Sequence, residues 1–191
     1  MKIRRPSRML AVAAVAGAGV LVGCSAPPSA AAPEAPTAST SPAASYRNEQ
    51  SGFALTPPPG WQQVPGLAVS AATFVAPNRA SGGNPPLVNM NVVVTPTDAD
   101  LDANLAGARQ LLPESFPGYR PVLDEPFTLA DGQPAHLLGC TFTQSGSTLR
   151  NLQLLVVARG NAYVVSGTAP DLTFATYEPA IRQSLSTFAL I

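Results

Sequence analysis

Few residues of this chain are equipped to do chemistry. His136 is the only histidine among 191 residues, and so the only side chain whose unperturbed pKa lies near neutrality. It shares strand parity with Leu138, Cys140 and Phe142, which places it at the rim of an apolar face. A Ser–His–acid hydrolase would have to use it. No G-x-S-x-G elbow presents a serine, and Ser147 and Ser166 lie at predicted strand ends without supporting signals. Cys140, between Gly139 and Thr141 in the same row, reads as a buried and inert thiol. A zinc site needs three or four ligands, and His136, Cys140 and carboxylates are a thin supply. Asp98, Asp100 and Asp102 alternate like the start of a calcium loop, but Ala103 and Arg109 stand where that loop needs Gly and Glu. Acidic residues near a helix N-terminus, where the macrodipole favours them, are the simpler account. No catalytic residue, metal or cofactor is expected.

Charge narrows the classes further. There is no lysine after Lys2, so Schiff-base and phosphate-loop lysines are excluded. Beyond residue 23 the chain carries seven basic and 11 acidic residues, a net charge of −4. That balance gives no counterion-release drive toward nucleic acid.

The N-terminus holds Lys2, Arg4, Arg5 and Arg8, then an apolar run from Met9 to Val22. The run is short of the roughly 20 residues that span a bilayer. Basic residues, a short apolar segment and a small-residue site form the pattern of an export signal. A buried core helix would leave the clustered positive charge unexplained. Leu21-Val22-Gly23-Cys24, at its end, resembles the lipobox of bacterial lipoproteins. That resemblance implies cleavage between Gly23 and Cys24 and a diacylglycerol on the Cys24 thiol, often with a further acyl chain on the new N-terminus. Thiolate nucleophilicity suits cysteine to that reaction. Residues 1–23 are then signal peptide. With Cys24 lipidated, Cys140 is left without an internal disulfide partner.

From Ser25 to Ser45 the chain is almost wholly Ala, Pro, Ser and Thr, which cannot bury enough apolar area to offset ordering entropy. Residues 24–45 are expected to be a disordered tether reaching roughly 25–30 Å, and residues 46–191 a single folded domain with its own core.

Within that domain Phe53-Ala54-Leu55-Thr56 reads as a short strand stopped by Pro57-Pro58-Pro59-Gly60. Leu67 to Val75 is a second strand, and Val88, Met90, Val92 and Val94 set a third by their period of two. Thr97 and Asp100 form a capping box ahead of Leu101, Leu105, Ala108 and Leu112, a helix ended by Pro113. Tyr119–Leu129, Gln133–Gln144, Thr148–Ala158 and Ala162–Ala169 read as four strands joined by tight turns, hence antiparallel hairpins. A closing helix has Phe174, Tyr177, Ile181, Leu185 and Phe188 on one face, with Pro179 marking either its start near Glu178 or a bend. The expected class is α+β, an antiparallel sheet of about seven strands with one face covered by two helices.

A strand running into Pro58–Trp61, a hairpin, one helix, a four-strand meander and a final helix ending in Ser184-x-x-x-Phe188 resembles the PsbP-like fold. Within it, the lipobox and Thr/Pro-rich tether make the chain similar to the mycobacterial LpqN-type lipoproteins. The resemblance implies attachment to the outer face of the cell membrane through acylated Cys24 and binding of a protein or ligand, with no established catalytic residues to carry over. The leading expectation is a non-enzymatic envelope lipoprotein whose domain binds another envelope or secreted protein. The second is a carrier or sensor of a lipid-like molecule held between sheet and helices. Trp61, which can pack the sheet's edge or meet a partner, and Arg79 and Asn84 of the long Pro77–Pro86 loop are candidate partner-binding residues.

Overall fold

The computed structural model describes residues 45–65, 69–77 and 88–191. In chain order these form β1 (Tyr46–Asn48), β2 (Phe53–Leu55), β3 (Gln62–Val64), β4 (Ala72–Val75), β5 (Asn89–Pro96), α1 (Leu101–Ser115), β6 (Arg120–Thr128), β7 (Pro134–Gln144), β8 (Ser147–Ala158), β9 (Asn161–Pro170), α2 (Asp171–Ser186) and β10 (Ala189–Leu190). Seven strands make one antiparallel sheet in the order β3-β4-β5-β9-β8-β7-β6, and β1-β2-β10 make a second, smaller one. The α+β class and a seven-strand antiparallel sheet are as the sequence predicts, but the strand at Phe53 lies in the second sheet and β3, not read from the sequence, completes the first.

The meander follows from its turns. Ser145-Gly146 and Arg159-Gly160 all have positive φ, 49° and 77° in the first pair and 52° and 74° in the second. Two such residues between strands make the hairpin turn whose twist matches the strands it joins. They fix the register Gln144↔Ser147 and Ala158↔Asn161, and from there every side chain's face is set.

The helices lie on opposite faces of the sheet, not on one. Leu105, Ala108 and Leu112 of α1, with Phe116, bury against Leu138, Cys140, Phe142, Leu149 and Leu155. Phe174, Ile181 and Leu185 of α2, with Phe188, bury against Met90, Val92, Leu152, Leu154, Val156 and Val165. Leu154 and Leu155 are adjacent on β8 and enter different cores, so the sheet is covered on both sides. The small sheet joins the α2 side through Phe53 and Leu55.

Other boundaries differ from expectation. The α1 cap is Asp100, whose carboxylate accepts from the Ala103 amide, while Thr97 Oγ1 accepts from Ala99 and from the Asn104 carboxamide. Asp100 needs no partner from Thr97 because its own side chain reaches the third helical amide. Pro113 lies inside α1, two residues from its end, where the Phe116 amide still closes on Leu112. Pro179 lies inside α2, which begins at Asp171 and not near Glu178. Its start is tied down by Arg150 Nε donating to Asp171 Oδ1 at 2.8 Å. The predicted strand from Leu67 is seen from Ala72; Leu67 and Ala68 lie outside the described residues. β1, β3 and β10, of two or three residues each, are too short for a period to show.

Gly167 sits on the α2 side of β9, and a Cβ there would collide with the Ile181 side chain, itself fully buried. Gly167→Ala is therefore expected to cost about 1–3 kcal/mol by overpacking, seen as a lower denaturant midpoint at constant m. An unchanged midpoint would mean that α2 is not seated on β9 in this way.

Candidate functional site

His136 lies on β7 on the α1 side of the sheet, paired with Pro126, its side chain 12% exposed. Its Nε2 is 2.6 Å from Asp124 Oδ1 on the neighbouring edge strand β6. Arg109 of α1 grips the same carboxylate from above, Nε donating to Oδ2 at 2.8 Å and Nη2 to Oδ1 at 2.7 Å. The fork is bidentate, the strong form of this pair, and it binds helix to sheet edge. Tight register puts Asp124 beside Leu138 and hence on the same face as His136.

This cluster contains an imidazole and a carboxylate, two members of a hydrolase triad. The third is missing among the described residues. Ser147 pairs with Gln144 at the far end of β8, and Ser166 pairs with Gln153 and Asn91 deep in the sheet. Cys140, four residues along from His136, is buried, and burial pushes its thiol up to about 12. It is no nucleophile near neutral pH.

The Arg109 hydrogen bonds, and after them the one to His136, hold the Asp124 carboxyl at about 2, against its ordinary 3.8. A carboxyl depressed in the folded state adds stability above its unfolded value, and that stability is lost as pH falls through the folded one. The window is therefore from about pH 4 down to about pH 2. Asp124 is 40% exposed, so the contribution after screening is below about 1 kcal/mol. Asp124→Asn is expected to flatten this limb of the melting temperature against pH. An unaltered slope over that window would contradict the ion cluster.

Trp61 is half-buried and packs edge-on against Tyr177 of α2, ring centroids 6.4 Å apart at 74°. Asp98, Asp100 and Asp102 flank the α1 N-terminus, where Asp100 serves as the cap. Cys24, Gly23, Arg79 and Asn84 lie outside the described residues.

A third group was not expected from the sequence. On the α1 side of the sheet, Thr73, Asn91, Ser166 and Gln153 stand opposite one another across β4, β5, β9 and β8. One row along, Asn89, Thr168 and Asn151 do the same. These are neutral amides and hydroxyls, and Thr73, Asn151, Gln153, Ser166 and Thr168 are each at most 8% exposed. Asn151 Nδ2 donates to Thr168 Oγ1 at 2.7 Å, whereas Asn151 Oδ1 and Thr73 Oγ1 are buried without a partner. The sequence signal was three polar i, i+2 pairs, Asn89/Asn91, Asn151/Gln153 and Ser166/Thr168. By period alone these read as a solvent-facing side.

Comparison with known proteins bears on the fold and the family. A family model described as probable lipoprotein LpqN matches residues 39–178. The solution structure of cyanobacterial PsbP (CyanoP) from Synechocystis sp. PCC 6803 is similar with a TM-score of 0.58 at 13% identity, over 80% of this chain and 96% of that one. The crystal structure of LpqN involved in cell envelope biogenesis of Mycobacterium tuberculosis is similar with a TM-score of 0.57 at 19% identity, over 80% of this chain and 87% of that one. No curated protein matches the chain in sequence.

Proposed function

Because the chain belongs to the family of the probable lipoprotein LpqN, we propose that it is a non-enzymatic protein of the cell envelope, tied to the membrane through acylated Cys24, whose folded domain binds another envelope or secreted protein. Residues 1–23 act as the export signal and residues 24–45 as the leash. The M. tuberculosis member is described as involved in cell envelope biogenesis, and the same setting is proposed for this chain. Among the described residues no helix is long and apolar enough to cross a membrane; the proposed attachment is the covalent lipid on Cys24.

The observation that carries the binding reading is how the two cores are filled. Ile181 seats on the bare backbone of Gly167 with no room for another carbon, and Leu105, Ala108 and Leu112 close the other side. A carrier of a lipid-like molecule needs an apolar cavity of about 300 Å³ or more. Apolar side chains buried on both faces of the sheet support a reading in which the surface is the working part. The engagement of His136 by Asp124, with no serine or thiolate bonded to it among the described residues, supports a non-catalytic role in the same way.

The test is cross-linking in the native envelope followed by identification of what is captured, with native mass spectrometry of the purified protein alongside. A reproducible protein partner and a lipid-free domain are expected. A stoichiometric lipid seated inside the domain, with no protein captured, would favour the carrier reading and overturn this one.

A further inference from the structure

Helix α2 buries Phe174, Ile181, Ser184 and Leu185 against the sheet. The outer face of such a helix normally carries charged side chains, as that of α1 does with Asp102, Arg109 and Glu114. The first turns of α2 do not. Leu172, Ala175, Thr176 and Pro179 fall at i, i+3, i+4 and i+7, so they share one stripe, and all are exposed, Leu172 at 99%. The charges beside the stripe cancel in pairs. Arg150 Nε donates to Asp171 at 2.8 Å, and Arg182 Nε to Glu178 at 2.7 Å. The stripe is apolar and carries no net charge.

The point where the chain enters the domain bears on what covers this stripe. Twenty residues separate Cys24 from Ser45, the first described residue, and their composition gives a reach of roughly 25–30 Å. The strand that follows, β1, pairs with β2 in the small sheet, and Tyr46 packs edge-on to Phe74 at 5.2 Å on the α2 side of the core. The tether therefore joins the domain in the layer that α2 shares with the small sheet. With 16 residues, α2 is about 24 Å long, so the reach is about one helix length. A surface held that close meets the bilayer at an effective concentration on the order of millimolar.

We propose that the Leu172–Pro179 stripe rests on the lipid bilayer to which Cys24 is joined, with Leu172 entering the headgroup region. The proposal rests on the anchored reading of the chain. An apolar side chain gains by leaving water for the acyl boundary, and the paired charges beside it call for no anionic lipid. In this arrangement α2 faces the membrane, and the α1 side of the sheet faces outward.

The test is spin-label accessibility in the full lipidated chain, reconstituted in phosphatidylcholine vesicles. Cys140 is buried and Cys24 carries the lipid. Ala175→Cys, or Gln110→Cys on the exposed side of α1, therefore supplies a single reactive thiol. The label at position 175 is expected to be open to oxygen dissolved in lipid and shielded from an aqueous nickel complex, and the label at position 110 the reverse. Adding Leu172→Ser to Ala175→Cys is expected to lower the docked-to-free ratio by roughly tenfold or more, through loss of one buried leucine. Replacing part of the lipid with phosphatidylglycerol should change none of this. Equal aqueous access at the two positions, no effect of Leu172→Ser, or docking only with phosphatidylglycerol would overturn the proposal. Spin–spin broadening at position 175 would also overturn it, by placing a second copy on the stripe. Intact mass separates the two levels. A lipidated chain with a water-exposed label at 175 leaves the anchor standing and removes this contact. A chain without lipid removes both.

Discussion

Replacing Cys24 by Ser is expected to leave the signal uncut and the chain without its lipid, so that it accumulates as the unprocessed precursor. The argument is about area and chemistry. A serine hydroxyl does not form the thioether that would carry the lipid, because it is far less nucleophilic than a thiolate. Each acyl methylene buried in the bilayer contributes about 0.8 kcal/mol, and two or more chains are needed for stable anchoring. No described helix can substitute by spanning the membrane. Fractionation of the two forms, with an antibody to the folded domain, reads the outcome directly. Undiminished pelleting of a fully processed Cys24→Ser protein would contradict the anchor.

Phe53→Ala is expected to cost the folded domain about 3–5 kcal/mol. Phe53 is fully buried. Its ring stacks on Phe188 at 5.8 Å and 23°, meets Tyr163 at 6.4 Å and 73°, and lies 6.1 Å from Tyr46. Such aromatic contacts add to the area term. β2 is the middle strand of the small sheet, with β1 on one side and β10 on the other, so the same ring holds both ends of the domain. Against a typical total of about 5–15 kcal/mol, the loss is a fifth or more. Leu172, 99% exposed, is the control, and Leu172→Ala should lie within about 0.5 kcal/mol of wild type. Denaturant midpoints at constant m measure both. A Phe53→Ala loss below about 1 kcal/mol would mean that the small sheet is not packed as described.

Much of this was legible in the chain, and the failures have specific causes. Ser145-Gly146 and Arg159-Gly160 announced their hairpins because few residue pairs tolerate two positive φ angles in succession. The spacing of Leu101, Leu105, Ala108 and Leu112 announced α1. The placement of both helices on one face was wrong because β8 reads Leu152-Gln153-Leu154-Leu155-Val156-Val157. Adjacent apolar residues there signal burial on both faces, as in sheets covered on two sides. Pro113 was read as a helix end and Pro179 as either a helix start or a bend, and both lie inside helices that tertiary packing carries through them.

The sites divide in the same way. His136 was placed at a rim from parity alone, and it is there. Its partner Asp124 was invisible, since pairing β6 with β7 through the Asp131-Gly132 turn, and laying Arg109 of α1 above, is what brings the carboxylate to it. The polar rows were hidden for another reason. Asn89/Asn91 and Ser166/Thr168 look solvent-facing when each strand is read singly. Only the register across β5, β9 and β8 shows that they meet in a buried group.

The most direct test of the account is the intact mass of the protein extracted by detergent from its native envelope. The account predicts a chain that begins at Cys24 and is heavier than residues 24–191 by a diacylglyceryl group, with or without a further acyl chain. A mass matching the unprocessed 191 residues, or a processed chain bearing no lipid, would contradict it.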